Sequence, residues 1–482
     1  MAKDDRVTYD PAGVFLPGSP VSATQLTALA ARLNAIRWDV AEENAEAGEV
    51  SEPDSSLSAC KSTFRELPER ILDDYVEHRQ QSDLGRILQT ARWIRDRVDR
   101  IVVVGNEGVL SGIRALLDAC CEPYFNHLTR SQRGGRPRIL LAGADLDNDA
   151  ITGLVTLLTE ARSPNLLEDR WALLLVNAPA MDLPTTLVAR HLLRSLRSFY
   201  RADSATVPEM VVPLTRVMAT SKGGGASDRS TGVGRGMTVP ADLDDGFGAF
   251  SAAVLLPAAI AGMDIVRLLE GASTANDHFR TAPVGANSVL DFVGVNHLWR
   301  AAGPTNAGGM RVWATALRAT ACWYAQLRQQ QMERATPAKG ADRDGRPQAS
   351  AATQTALHAV PADDVLWTEV LVSQCRCDPL MIGDLESDPD GLNSLADRSH
   401  PDLMSAAIWE TIRGNRQSGR PAGVLRLARL NEHTLGQVLQ MAMLAVAVEQ
   451  RFNLDKTGPD PPGVLVAKNR PDFAARFLYD FR

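Results

Sequence analysis

The sequence predicts an α/β protein with a doubly wound, mainly parallel sheet, and three observations carry that expectation. Short runs of aliphatic and β-branched residues alternate with longer amphipathic runs. One run, Ile101 to Leu116 (IVVVGNEGVLSGIRAL), passes from a buried-strand pattern through glycines at 105, 108 and 112 into a helix. At 482 residues the chain is also too long for a single core, so two lobes are expected.

Residues 1–85 read as an N-terminal helical segment. Thr24 to Trp38 and Phe64 to Val76 have helical spacing, and Val40 to Ser58 is an acidic connector between them. A first α/β domain spans 86–275, and amphipathic Asp83 to Val98 delivers the chain into its Ile101 strand. Ile139 to Ala142 is a second strand. The acidic run Asp145 to Asp149 lacks the turn glycine and distal glutamate of a calcium loop, so it reads as the cap of a helix from Ala150 to Leu158. Trp171 to Val176 and Met210 to Leu214 are the third and fourth strands, with a helix from Thr185 to Leu196 between them. The glycine/serine tract from Thr220 to Gly236 reads as flexible, and Phe250 to Leu269 as one long buried helix.

A second α/β domain spans 276–455. It should hold strands at Met310 to Ala316, Val365 to Val372 and Leu380 to Ile382, with helices at Ala319 to Glu333 and Leu435 to Gln450. Residues 335–362 are poor in bulky apolar groups and read as a mobile surface insertion. Residues 456–482 form a proline-rich turn and tail.

Hydrophobic content of 45% with 23% charged residues is that of an ordinary soluble globular chain. A net charge of -7 gives no general basic field, which argues against nucleic acid as the main partner. Six cysteines in so long a chain make no disulfide framework, and Cys375-Arg-Cys377 lacks the spacing of a zinc hairpin. No metal or cofactor is expected. The opening MAKDDRVTYD has no apolar signal core and no long apolar run follows, so a cytoplasmic protein away from membranes is expected. The arginine-rich stretch from Asn126 to Arg138, which includes His127, reads as a solvated basic loop. His358 and His433 are isolated and read as structural. There is no G-x-S-x-G, Walker or H-E-x-x-H motif, and the glycines at 105, 108 and 112 do not make a dinucleotide fingerprint.

Four segments together resemble the glucose-6-phosphate isomerase family, which uses two sugar-isomerase-type (SIS) domains. VVVGNEGVLSGIRAL is similar to that family's strand and GIGGS-type loop, and GGRPRILLAGADLDNDAI to its second strand. FSAAVLLPAAIAGMD resembles the helix after its GGRFS signature, and LNEHTLGQVLQ with DPPGVLVAK its C-terminal signature. The resemblance implies a hexose phosphate ligand, ring opening, and proton transfer between C1 and C2 through an enediol. That chemistry needs a carboxylate base and a cation over the developing charge.

Most positions that the resemblance assigns to this chemistry carry other residues. In the first loop, Gly105 and Gly108 match, but Glu107 adds negative charge and Val109 lacks a hydroxyl. The phosphate loop, SKSGGTLET in the family, reads Asn177 to Thr185 here; Thr185 persists, Asp182 adds charge, and Pro184 replaces the glutamate. The GGRFS arginine falls on Gly246, and the ring-opening histidine on Leu366. Ungapped counting places Gln330 at the base position, whereas a slip within the helix would place Glu333 there. Lys468 persists, either as a site group or as a solvated lysine. The expectation is a family homologue with a largely eroded site and impaired catalysis. It would bind a sugar or sugar phosphate, regulate, or assemble as a homodimer or with a paralogue. The alternative is an active aldose–ketose isomerase using Glu333 and Lys468, on the family substrate or on a sugar that the acidic pocket would favour as neutral or cationic.

Overall fold

The computed structural model describes residues 5–42, 63–177, 181–201, 206–217, 236–240, 243, 245–302, 308–335, 365–454 and 477–481. Nearly all of the glycine/serine tract and of the 335–362 insertion, and most of the Val40–Ser58 connector, lie outside these residues, as do His358 and Lys468. The ten described strands are β1 (Thr8–Asp10), β2 (Arg100–Val104), β3 (Arg138–Ala142), β4 (Trp171–Val176), β5 (Val211–Val217), β6 (Met237–Pro240), β7 (Gly308–Val312), β8 (Leu366–Gln374), β9 (Ala422–Arg429) and β10 (Phe477–Phe481). They form two doubly wound sheets in two compact units.

Residues 41–276 and 322–327 make up one unit. Its sheet is wholly parallel, in the order β3-β2-β4-β5-β6. Strands β2 and β4 are buried along their full length, which explains their unbroken aliphatic runs. The Glu107–Cys120 helix follows β2 directly, and the Asn106 side chain caps it by accepting from the Val109 N–H at 3.2 Å. Asp147 caps the Asn148–Thr159 helix, in agreement with the acidic run read as a cap.

The long helix expected from Phe250 to Leu269 is two helices, Ala252–Ala261 and Ile265–Thr281. Gly262 closes the first in a left-handed conformation, φ +93°. Apolar content alone concealed this break because both sides of it are buried.

The Asn126–Arg138 stretch is not a solvated basic loop. Arg130, Arg133 and Arg138 all converge on the fully buried Asp99, Arg130 at 3.1 Å and Arg133 at 2.5 Å. The arginines also donate to main-chain carbonyls, including Val98, Arg136 and Asn126. One carboxylate thereby fastens this connection to the foot of β2.

Residues 1–40, 277–321 and 328–482 make up the other unit, with sheet order β1-β9-β8-β7-β10. Only β1 runs antiparallel, pairing Thr8 with Arg426 on β9. The Trp367 ring lies where a Cβ at Gly309 would fall, 2.6 Å away, so β7 needs glycine there. Leu380–Ile382 is not a strand; Met381 makes a single bridge to Ser399 in an exposed excursion. The Ser288–Ala302 helix had no legible amphipathic period because it is buried nearly all round.

Two buried carboxylates in this unit are paired with arginines. Arg311 meets Glu369 at 2.5 Å, and Trp313 donates to the same carboxylate at 2.8 Å. Burial would raise the Glu449 carboxyl, but Arg300 and Arg328 outweigh it and draw it down to about 2. Asp291 shows the opposite balance: burial pushes it up to about 6 despite main-chain hydrogen bonds from Gly285 and Asn287.

Two outcomes follow from these buried charges. Asp99→Asn leaves three guanidiniums without their anion and is expected to cost about 3–5 kcal/mol, measured by urea unfolding. Asp291 is raised on folding, so its contribution is full below the unfolded value and is lost as pH rises through about 6. Asp291→Asn should therefore melt higher than wild type at pH 7.5 and come together with it as pH falls below the unfolded value.

Candidate functional site

Within its own sheet, β2 is the first strand in sequence, β3 the second and β4 the third, so the order is 2-1-3-4-5. Connections leave β2 and β4 on opposite sides, which opens a crevice at their carboxyl ends. A small cleft of about 10 Å³, room for about one water, lies there, lined by Val109, Asn177, Arg216, Val239, Leu243, Gly248, Ser251 and Ala253. The strand ends supply Asn177 and Arg216, and the helix starts supply Val109 and Ser251.

The wall is built by close main-chain approach. Gly105 donates its N–H to Ala142 at 3.1 Å. Gly143 has φ +106°, and a Cβ there would stand 3.0 Å from the Gly105 carbonyl oxygen. Thr185 donates its hydroxyl to the Gly143 carbonyl at 2.9 Å, which ties the Leu183–Phe199 helix to this turn. Asn177 is 9% exposed with φ +60°, a conformation asparagine tolerates better than most residues. Its Oδ1 accepts from Arg216 Nε at 3.0 Å.

The two acidic residues do not line the cleft. Asp182 caps the Leu183–Phe199 helix through the Thr185 N–H at 2.9 Å, and Pro184 occupies the first turn, where its missing N–H costs nothing. Glu107 sits in the first turn of its helix and accepts from Gln326 Nε2 at 3.2 Å. The charged side chain among the described lining residues is Arg216.

Val109 is 4% exposed, and Gly246 is buried in the Asp245–Phe250 turn and carries no side chain. Gly108 is half-buried in the first helical turn. Leu366 and Gln330 belong to the other unit: Leu366 opens β8 within its core, and Gln330 is half-buried on the Arg318–Ala335 helix, which also contains Glu333. Among the described residues, no group of three or more His, Cys, Asp or Glu is placed to hold a metal ion. No described helix is long and apolar enough to cross a membrane.

Arg216 and Ser251 were missed from the sequence. The fourth strand was read as ending at Leu214, whereas β5 runs on to Val217. A cation at the carboxyl end of a parallel strand was the available signal. The assignment of Asp182 to its helix gives a direct check. Asp182→Ala should lower stability by about 1 kcal/mol in urea unfolding, the usual worth of an N-cap, whereas a carboxylate serving the cleft would leave it unchanged.

No protein-family model matches the chain. It is 28% identical over 422 residues to a glucose-6-phosphate isomerase of Symbiobacterium thermophilum, covering 84% of this chain and 87% of that one. It is 24% identical over 409 residues to the glucose-6-phosphate isomerase of Pediococcus pentosaceus, covering 82% and 84%. A hypothetical protein of Thermus thermophilus shares the fold with a TM-score of 0.66 at 20% identity, over 93% of this chain and 94% of that one. A glucose-6-phosphate isomerase from Chlamydia trachomatis does so with a TM-score of 0.58 at 16% identity, over 89% and 81%. The chain is therefore similar in sequence to glucose-6-phosphate isomerases along more than four-fifths of its length, and it shares the fold of one of them.

Proposed function

We propose that this chain binds a sugar-derived ligand without isomerising it, and acts as a regulatory or assembly homologue in the cytoplasm, paired with itself or with an active paralogue. Aldose–ketose isomerisation through an enediol needs a base for the C2 proton and a fixed cation beside the oxyanion. The observation that carries the reading is Gly246: the position matching the family's arginine is a buried turn residue with no side chain. Loss at other positions agrees with it. Val109 puts a buried isopropyl group where a hydroxyl would meet phosphate, and one hydrogen bond to a charged group is worth about 1.5–3 kcal/mol. Gln330, at the ungapped base position, has an amide that cannot take up the C2 proton.

An assay coupling fructose 6-phosphate conversion to glucose 6-phosphate oxidation tests this reading, run beside Lys468→Ala to reveal a contaminating host isomerase. The expected rate for wild type is no higher than that of the variant. Turnover abolished by Lys468→Ala would sink the proposal.

The curated relatives favour a second reading, an active isomerase with Glu333 as base and Lys468 assisting ring opening. It requires a pH–rate profile with a carboxylate limb that disappears in Glu333→Gln.

A further inference from the structure

We propose that Cys375 and Cys377 form a reversible disulfide couple, a redox modification site at the end of β8. The Cys375-Arg-Cys377 run stands out in the sequence, yet the reading of the cleft makes no use of it. It lies in the other unit, so the couple stands or falls independently of whether the chain isomerises a sugar.

Geometry brings the two thiols together. Strand β8 is paired on both edges and its register with β9 runs as far as Gln374 and Arg429, so Cys375 follows directly on a fixed strand end. The chain bends at Arg376 and Cys377, and the Cys375 thiol donates to the Cys377 carbonyl at 3.1 Å. Two fully extended trans peptide units span about 7 Å between Cα atoms, whereas a disulfide takes about 4.4–6.8 Å. A bend between the two residues is therefore what ring closure requires. Beyond them the exposed excursion is tied to itself. Ile382 donates its N–H to the Arg398 carbonyl at 2.9 Å, and the Asn393 side chain bonds both main-chain groups of Leu385. Closing the pair would join the strand end to the first residues of that excursion.

Access favours exchange at this pair. Cys375 and Cys377 are both exposed, whereas Cys121 is buried and Cys120 and Cys322 are half-buried. Exposure governs which thiols meet a disulfide from solution. A structural zinc site takes four ligands, and among the described residues no group of three or more His, Cys, Asp or Glu is placed to hold a metal ion. The oxidant is a low-molecular-weight disulfide such as oxidised glutathione. The first cysteine, as its thiolate, attacks one glutathione sulfur; the glutathione S–S bond breaks and one glutathione thiol leaves. The second cysteine then attacks the protein sulfur of the mixed disulfide, and the second glutathione leaves. The chain loses two protons and two electrons, and the glutathione disulfide takes them up to become two thiols. A thiol two residues away outcompetes one from solution because its effective concentration is millimolar or higher. In reducing surroundings such couples are transient and serve as redox sensors.

Peptide mass spectrometry on the full chain after treatment with excess oxidised glutathione tests the couple. Chymotryptic cleavage after Leu371 and Leu380 leaves both cysteines on one peptide. In wild type that peptide should be two hydrogens lighter, carry no glutathione and resist alkylation, and dithiothreitol should restore both thiols. In Cys377→Ser and in Cys375→Ser the remaining thiol should stop as a glutathione adduct, at least about tenfold more abundant than any adduct in wild type. Both side chains are exposed, so each variant should melt with wild type. A lasting glutathione adduct on either cysteine of wild type, two alkylatable thiols after oxidation, or a disulfide to any other cysteine would overturn the couple.

Discussion

Strand β2 is buried along all five of its residues and paired on both edges, to β3 and to β4. A side chain there cannot change without opening a cavity or straining its neighbours. Its winding position also forces the connections after β2 and β4 apart, so a crevice at their carboxyl ends is a consequence of topology. The residues that line that crevice follow the strand ends, and they can differ between relatives while the strand packing beneath is kept. The fold shared with a glucose-6-phosphate isomerase therefore rests on these buried strands.

Buried charge elsewhere in the chain follows a different rule. Asp99 with three arginines, Glu369 with Arg311 and Trp313, and Glu449 with Arg300 and Arg328 are held by opposite charge and hydrogen bonds. Such groups look like catalytic candidates when judged only by their burial. Glu449 is drawn down to about 2 by two guanidiniums, however, which makes it a poor proton acceptor at neutral pH. Asp291, raised to about 6, accepts main-chain N–H groups at the start of its helix. Both belong to the architecture of their unit.

The sequence was most readable where burial imposes a pattern. Trp171–Val176 was legible to the residue, since a doubly covered strand is a continuous apolar run. The helix after Asp147 was legible because a short acidic side chain ahead of an apolar run serves as a cap. β9 escaped notice because Arg426 and Arg429 interrupt its apolar residues. Around the cleft, the family resemblance pointed to Asn177, Val109, Glu107 and Asp182; the first two line the cleft, and the other two are held by local contacts. Charge along a sequence does not reveal that one carboxylate caps a helix and the other accepts from Gln326. Arg216 was hidden for a related reason: its role comes from the strand that ends beside Asn177, and no motif records that proximity.

The central claim is that proton transfer at the substrate's C2 has been lost, and hydrogen exchange at that carbon tests it most directly. Glucose 6-phosphate would be incubated in deuterium oxide with chain purified from a host lacking its own isomerase, and the C2 proton followed by NMR. The account predicts no deuterium at C2 beyond that seen without protein. Incorporation that rises with protein concentration would mean that an enediol still forms, and would contradict it.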